Sequence, residues 1–439
     1  MVDRLIHIAR TPGMLTPALL ALFPLWWALG LGEVVFAIFG VALAISLLQT
    51  RRITVPRFAS AWIVFLFAVA ASGVMLEEAN DIFNWGLRLS QYISVGLLLP
   101  YVLTHRESTP ARRVFASGSI LFIGSVVGGY LGLIIGDVSY LSPFGMVLPG
   151  GIRANSFVHD IVNPSFADVE RFLGTYEVTR PKAPFTYTNE WGASMGLLFP
   201  FALHDAFEGF GIRRNAARLA LLASPVPIAF SLNQGLWISI VAGVGYATVR
   251  TAGRGDGRAV LQVLLAAFVA VAVIVATPLG EAFSSDLQNP DATSDRAELY
   301  ESTIREVNKS PLIGYGAPRQ VNDSGPPAGT HGQLWIVLFS HGAIGALSYF
   351  GFLGGLLWMT RRYRTRAGLW CHTILFISFV QAPFYGHVPQ QLAIMMVAGA
   401  LGLLDVRGLL GSKSQVEPAA LRSLSDTMDL DLATQTPAT

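Results

Sequence analysis

The chain alternates short polar turns with about twelve apolar stretches, each close to the roughly 20 residues that a membrane-crossing helix needs. No other feature constrains the fold as tightly. In lipid, backbone polar groups must be satisfied inside the spanning segment or in a closed barrel, and apolar runs of this length select helices. The stretches fall at about 12–30, 32–49, 58–76, 84–104, 114–136, 187–208, 217–232, 235–250, 259–277, 332–358, 368–385 and 388–405. Arginine decides their sidedness. With the N-terminus in the cytoplasm, Arg4, Arg10, Arg51, Arg52, Arg57, Arg106, Arg112, Arg113, Arg213, Arg214, Arg218, Arg250, Arg254, Arg258, Arg361, Arg362, Arg364 and Arg366 share the cytoplasmic side. The short turns on the opposite side carry neither Lys nor Arg. That asymmetry predicts a multi-pass protein with both termini cytoplasmic.

Charge supports the same class: 13% of residues are charged, against about 25% in soluble domains. A net charge of +2 offers no reason to expect nucleic acid as a partner, and the run RRYRTR (Arg361 to Arg366) reads as a cytoplasmic anchor at the lipid headgroups. The N-terminus is basic and then apolar, without a small-residue cleavage site before the next apolar run, so it reads as a retained first span. The single cysteine, Cys371, excludes an internal disulfide and any CxxC site.

Two segments on the side opposite the arginines are long, about 137–186 and about 278–331, with the aromatic and proline content of caps over a helix bundle. The expected fold is an all-α polytopic membrane protein of about 12 transmembrane helices with two long extracytoplasmic loops. Its membrane domain covers residues 1–410. Residues 411–439, rich in Ser, Asp, Thr and Pro, are expected to form a disordered cytoplasmic tail.

Few residues are placed to carry chemistry. His331 ends the second long loop where an apolar run begins, at a predicted helix N-terminus. Such a place bears partial positive charge, disfavours imidazolium and suits a neutral proton acceptor. An interfacial histidine bonded to its loop is the structural alternative. His341 follows ten residues later, about 15 Å along the helix axis, too far to share a reacting atom, and reads as a histidine between helices. Arg88 lies inside the fourth span, where a charge is costly and either functional or snorkelling to the interface. Arg180 closes the first long loop, and Arg296 lies on an amphipathic stretch of the second. Arginines on that side suit a phosphate-bearing lipid, since guanidinium pairs bidentately with phosphate. Arg153, Arg171, Arg305 and Arg319 share the loops and can play the same part. Glu77, Glu78 and Asp81 are acidic enough to hold a metal but read as a solvated turn, and no metal site is expected. No P-loop, GxSxG or HExxH occurs, which counts against ATP-driven transport, serine hydrolysis and zinc proteolysis.

At SPLIGYG (Ser310 to Gly316) followed by THGQLWIVLFSHGAIG the sequence resembles the O-antigen ligase and polymerase family of bacterial envelope assembly. The family element of Pro-x-x-Gly-x-Gly, a histidine opening a span, and two later glycines matches Pro311, Gly314, Gly316, His331, Gly342 and Gly345. Arg296 fits the arginine that precedes the element. Arg180 followed by PFTYTNEWG, with Asn189, is similar to the family's arginine before an asparagine-containing start of a span. Three positions depart: Gly332 stands for a usual Asn, Ser340 for a frequent Glu, and Gln234 for a common arginine.

The resemblance implies an inverting, metal-independent and cofactor-free glycosyltransferase with the C-type membrane fold. Its donor would be a polyprenyl-diphosphate-linked glycan, and its acceptor a hydroxyl of a glycan or lipid at the outer face of the cytoplasmic membrane. His331 would be the catalytic residue, and Arg88, Arg180 and Arg296 would bind the diphosphate. A repeat-unit polymerase of the same family is the nearest alternative. A member that has lost activity would fit Gln234. A lipid-linked glycan transporter is a rival class, though the sequence shows neither paired halves nor the glycine- or proline-broken spans that transporters use.

Overall fold

The computed structural model describes residues 13–172, 176–253, 290–320 and 327–410. Helices α1 (Leu15–Ala21) and α2 (Phe23–Ala28) lead to α3 (Val35–Leu48), α4 (Ser60–Ser72), α5 (Ala79–Gly96), α6 (Leu98–Thr104) and α7 (Ala111–Ile135). Three short helices follow, α8 (Pro143–Val147), α9 (Gly150–Arg153) and α10 (Ser156–Val162), and then the strands β1 (Ala167–Phe172) and β2 (Tyr176–Pro181). The chain continues through α11 (Thr188–Glu208), α12 (Gly211–Ala223), α13 (Pro225–Phe230) and α14 (Gln234–Ala252). It ends with α15 (Pro290–Val307), α16 (Gln333–Thr360), α17 (Arg366–Gln381) and α18 (Pro389–Val406). The expected span at about 259–277 and the tail from 411 lie outside the described residues.

Every other apolar stretch coincides with helix, and three are divided at prolines where the sequence reads them as single. The breaks fall at Leu22 ahead of Pro24, at Leu97 ahead of Pro100 and at Ser224 ahead of Pro225. Proline lacks the N–H that would bond four residues back and its ring clashes with that carbonyl, so each break has its cause in the sequence. Among the described residues four segments are long and apolar enough to cross a membrane by length and composition: Arg57–Met75 (α4 with its flanking turns), α7, α16 and α18. The protein is a mostly helical membrane protein. The first long loop departs from an all-α reading, because β1 and β2 pair antiparallel with Asp168 opposite Arg180.

Helix α18 is the centre of the bundle, buried from Pro389 to Asp405 and packed against α6, α11, α16 and α17. In lipid, helices associate by close packing more than by escape from water, so small residues matter where backbones meet. Helix α7 shows this: a Cβ on Gly132 would lie 2.6 Å from the Phe166 carbonyl oxygen and 3.2 Å from Pro181. That face of α7 therefore seats the base of the β-hairpin. Ile38, Val41 and Ile45 of α3, with Phe67 of α4, remain exposed as an apolar outer surface, as expected against hydrocarbon.

The sequence reading finds no glycine- or proline-broken span; the three proline breaks correct it, and so does Gly342. Helix α16 is interrupted there, with φ 64° and ψ −170°. A break in lipid orphans backbone groups unless protein satisfies them. Here the segment Pro311 to Gly316 does so. The Ala343 N–H, which would otherwise donate to Phe339, donates to the Pro311 carbonyl at 2.8 Å. The carbonyls of Phe339 and Ser340 accept instead from the N–H groups of Tyr315 (3.0 Å) and Gly316 (2.8 Å). Gly314, Gly316 and Gly342 all have positive φ. A Cβ on Gly314 would lie 2.5 Å from the Phe339 carbonyl oxygen. The Pro-x-x-Gly-x-Gly element is thus a backbone strap laid across the gap in α16, and its glycines are there for close approach.

Candidate functional site

His331 stands exposed two residues before α16. Gly332, with φ 102°, forms the N-cap and turns the chain into the helix. The His331 Nδ1 is hydrogen-bonded with the Thr330 hydroxyl at 2.9 Å. Just inside, the Gln333 N–H donates to the Tyr385 carbonyl and the Gln333 side chain accepts from the His387 N–H, both at 2.8 Å. Trp335 Nε1 donates to the Pro383 carbonyl at 3.2 Å. The histidine is therefore mounted against the α17–α18 connection, on the helix end where the sequence places it.

Arg180, on β2, reaches the turn between α13 and α14. Its Nε donates to the Ser231 carbonyl at 2.8 Å, one terminal nitrogen to Asn233 Oδ1 at 3.4 Å, and the other pairs with Glu170 of β1. The side chain is 17% exposed. Asn233 in turn donates to the Thr188 carbonyl at 3.0 Å, beside Asn189, which is exposed on the first turn of α11. The α17–α18 connection joins this corner to His331. A Cβ on Gly235 would lie 2.7 Å from the Phe384 ring and 2.8 Å from Tyr385. Arg180, Asn189 and Gln234 thus gather at one corner, and Pro383 to Tyr385 run from it to His331.

Arg88 is half-buried in α5 and makes no hydrogen bond or salt bridge among the described residues. Its charge acts on Glu33, Glu190 and His341. Arg296 lies on α15, and its side chain lies outside the described residues, as does that of Arg171. Two alternatives are already engaged: Arg305 with Glu301 at 3.1 Å, and Arg319 with Glu77 at 3.3 Å. Arg319 also lies over the Tyr315 ring, 5.0 Å from its centroid. Burial and then the Glu306 charge push the Tyr315 phenol above its ordinary pKa, so its hydroxyl stays a donor, to the Glu306 carbonyl at 3.0 Å. Among the described residues no group of three or more His, Cys, Asp or Glu is arranged to hold a metal ion.

His341 is 2% exposed. Its Nδ1 is 2.9 Å from the Ser72 hydroxyl, and the edges of Phe65 and Tyr92 surround the ring. A Cβ on Gly345 would lie 2.5 Å from the His341 Cβ, so that glycine makes room for the imidazole.

A layer of polar side chains escaped the sequence reading. Glu33, 3% exposed, accepts from Gln91 Nε2 at 2.9 Å and from Gln390 Nε2 at 2.7 Å. Gln391 Nε2 donates to the Glu190 carbonyl at 3.1 Å and to the Ser194 hydroxyl at 2.7 Å. A buried carboxylate is tolerable only when it is hydrogen-bonded, and here both oxygens are. The layer ties α5 and α18 to the turn before α3, one helical turn from Arg88. Its signal was a glutamate in the apolar run LGLGEVVFAIFG, the kind of intramembrane charge that marks a site by default.

No curated protein matches the chain. The family model described as O-antigen ligase matches residues 219–359. The matched segment contains the strap, the broken helix and His331, while Arg88, Arg180 and Asn189 lie before it. Over that segment, about a third of its length, the chain is similar to the O-antigen ligase family.

Proposed function

We propose that this protein transfers a glycan from a polyprenyl-diphosphate carrier to an acceptor hydroxyl at the outer face of the cytoplasmic membrane, in the manner of an O-antigen ligase. The supporting observation is the placement of an exposed histidine at the start of α16, joined through Pro383 to Tyr385 to the arginine-bearing corner of Arg180. Base and diphosphate ligands are separate, as a single displacement requires. The acceptor O–H gives its proton to His331, the acceptor oxygen bonds to the anomeric carbon, and the bond to the diphosphate oxygen breaks with its electron pair. One such displacement inverts the anomeric centre. Arg88, Arg180 and Arg296 stabilise the charge that grows on the leaving diphosphate, which leaves a metal ion no necessary part. The break in α16 does not favour a transporter, because the strap already occupies the carbonyls an ion would need.

The direct test uses purified protein, native lipid-linked glycan and acceptor in detergent, with EDTA and no ion gradient. A new glycosidic bond of inverted configuration is expected by mass spectrometry and NMR. Absence of product, or product only after a divalent ion is restored, would overturn the mechanism.

Orientation has its own check. A cysteine at the exposed position Ser156 is expected to react with an impermeant thiol reagent in intact spheroplasts, and one at Arg362 is expected to react only after lysis. Labelling of the Arg362 position in sealed spheroplasts would put His331 on the wrong side.

A further inference from the structure

We propose that Trp335, backed by Tyr300, is a platform on which a pyranose ring of the glycan stacks beside His331. This rests on the reading of the protein as a transferase of lipid-linked glycans. Trp335 lies on the first turn of α16, four residues beyond His331. Its indole stacks on Tyr300 of α15, with centroids 4.6 Å apart and planes 19° from parallel. Its Nε1–H is held by the Pro383 carbonyl at 3.2 Å. The stack fixes the plane of the ring and the hydrogen bond fixes its rotation within that plane.

Both rings are only half-buried, although this bundle buries other large aromatics such as Trp191 and Phe339 completely. Folding alone gives no reason to stiffen an aromatic pair and leave it partly open. An interfacial anchor would turn its ring toward lipid, but the ring meets α15, which belongs to the second long loop. The Gly329 N–H donates to Thr303 of α15 at 3.3 Å, so that helix sits directly over the approach to His331.

A pyranose offers one face of C–H groups with hydroxyls around its rim. A flat apolar ring whose orientation is already fixed binds such a face with little ordering cost. The position suits the chemistry as well. The transferred sugar must lie between the proton acceptor and the diphosphate ligands, and Trp335 touches the His331 end of the Pro383–Tyr385 run that joins them.

The test measures binding, so it does not depend on turnover. Full-length Trp335→Leu, Trp335→Phe and Tyr300→Leu are compared with wild type in nanodiscs. The probes are native lipid-linked glycan, acceptor glycan and sugar-free polyprenyl diphosphate. Trp335→Leu is expected to bind one of the sugar-bearing probes about threefold to tenfold more weakly and the sugar-free carrier unchanged. Which probe loses affinity tells whether the ring belongs to donor or acceptor. Trp335→Phe is expected to recover most of the loss, and Tyr300→Leu to show a smaller loss of the same kind. Equal loss for the sugar-free carrier, or no loss for either glycan, would overturn the platform. If Trp335→Leu does not fold, Trp335→Phe and Tyr300→Leu still decide it, since unaltered glycan binding by Tyr300→Leu would leave the stack without a role. Wild-type protein that binds glycan in this pattern but forms no new bond would sink the transfer reading and leave the platform standing.

Discussion

Replacing His331 with alanine is expected to slow glycan transfer by about a hundredfold or more, the usual loss when a general base is removed, while the protein still inserts, folds and binds donor. His331 is exposed and lies ahead of the helix, so truncating it opens no buried cavity. The contrast comes from Arg180→Ala. That change removes a guanidinium that holds Ser231, Asn233 and Glu170 together, and it is expected to weaken donor binding more than it slows the bound complex. Lysine there should recover only part of the loss, because one ammonium cannot reach three separate partners in a plane. His341→Ala is expected to lower stability, since that imidazole fills a closed aromatic box beside Ser72. Single-turnover transfer at saturating donor, with matched amounts of folded protein, separates the three. Near-normal turnover by His331→Ala, or a larger kinetic loss from His341→Ala, would remove His331 from the chemistry.

The sequence made plain whatever depends on long uniform runs and on residues at their ends. The apolar stretches are set by length, and His331 is conspicuous because it stands where such a run begins. The prolines that divide three stretches were equally visible, yet hydropathy averages over a window and passes over Pro24, Pro100 and Pro225. Contacts between distant segments were not legible at all. Nothing in the order of residues pairs Arg319 with Glu77 or sends Arg180 to Asn233. Both pairings change what those arginines have free for a phosphate. Glu33 was readable as a charge in an apolar run, but its meaning depends on Gln91 and Gln390, which stand far along the chain. The strap is the clearest case. Pro311, Gly314, Gly316 and Gly342 stand out through family resemblance, which marks where they are without saying why. The reason is a set of backbone hydrogen bonds between two segments about thirty residues apart.

That reason makes Gly342→Ala the substitution expected to damage the fold most. Its backbone, at φ 64° and ψ −170°, lies in a region open essentially to glycine alone, where another residue costs about 1–3 kcal/mol. An added Cβ would also overlap the Leu312 backbone and lie 2.6 Å from the Ile313 nitrogen, so the strap must retreat. Retreat strands the Ala343 N–H and the Phe339 and Ser340 carbonyls, and each left buried without a partner costs about 1–3 kcal/mol. Against a typical total stability of about 5–15 kcal/mol, these terms are enough to lower the melting temperature of purified protein by many degrees and to cut its yield. The control lies on the same helix. Gly351 has nothing within 4 Å of where its Cβ would be, so Gly351→Ala should melt at or slightly above the wild-type temperature, because alanine is the better helix former. Thermal unfolding of both variants in one detergent is the measurement. A Gly342→Ala protein that melts with wild type, or a Gly351→Ala protein that falls as far, would show that the strap does not hold the break. With the strap loosened, the first half of α16, which begins two residues after His331, loses the hydrogen bonds that tie it to Pro311–Gly316. The same Gly342→Ala protein, held below its lowered melting temperature, should therefore also lose transfer rate without any change at His331 itself.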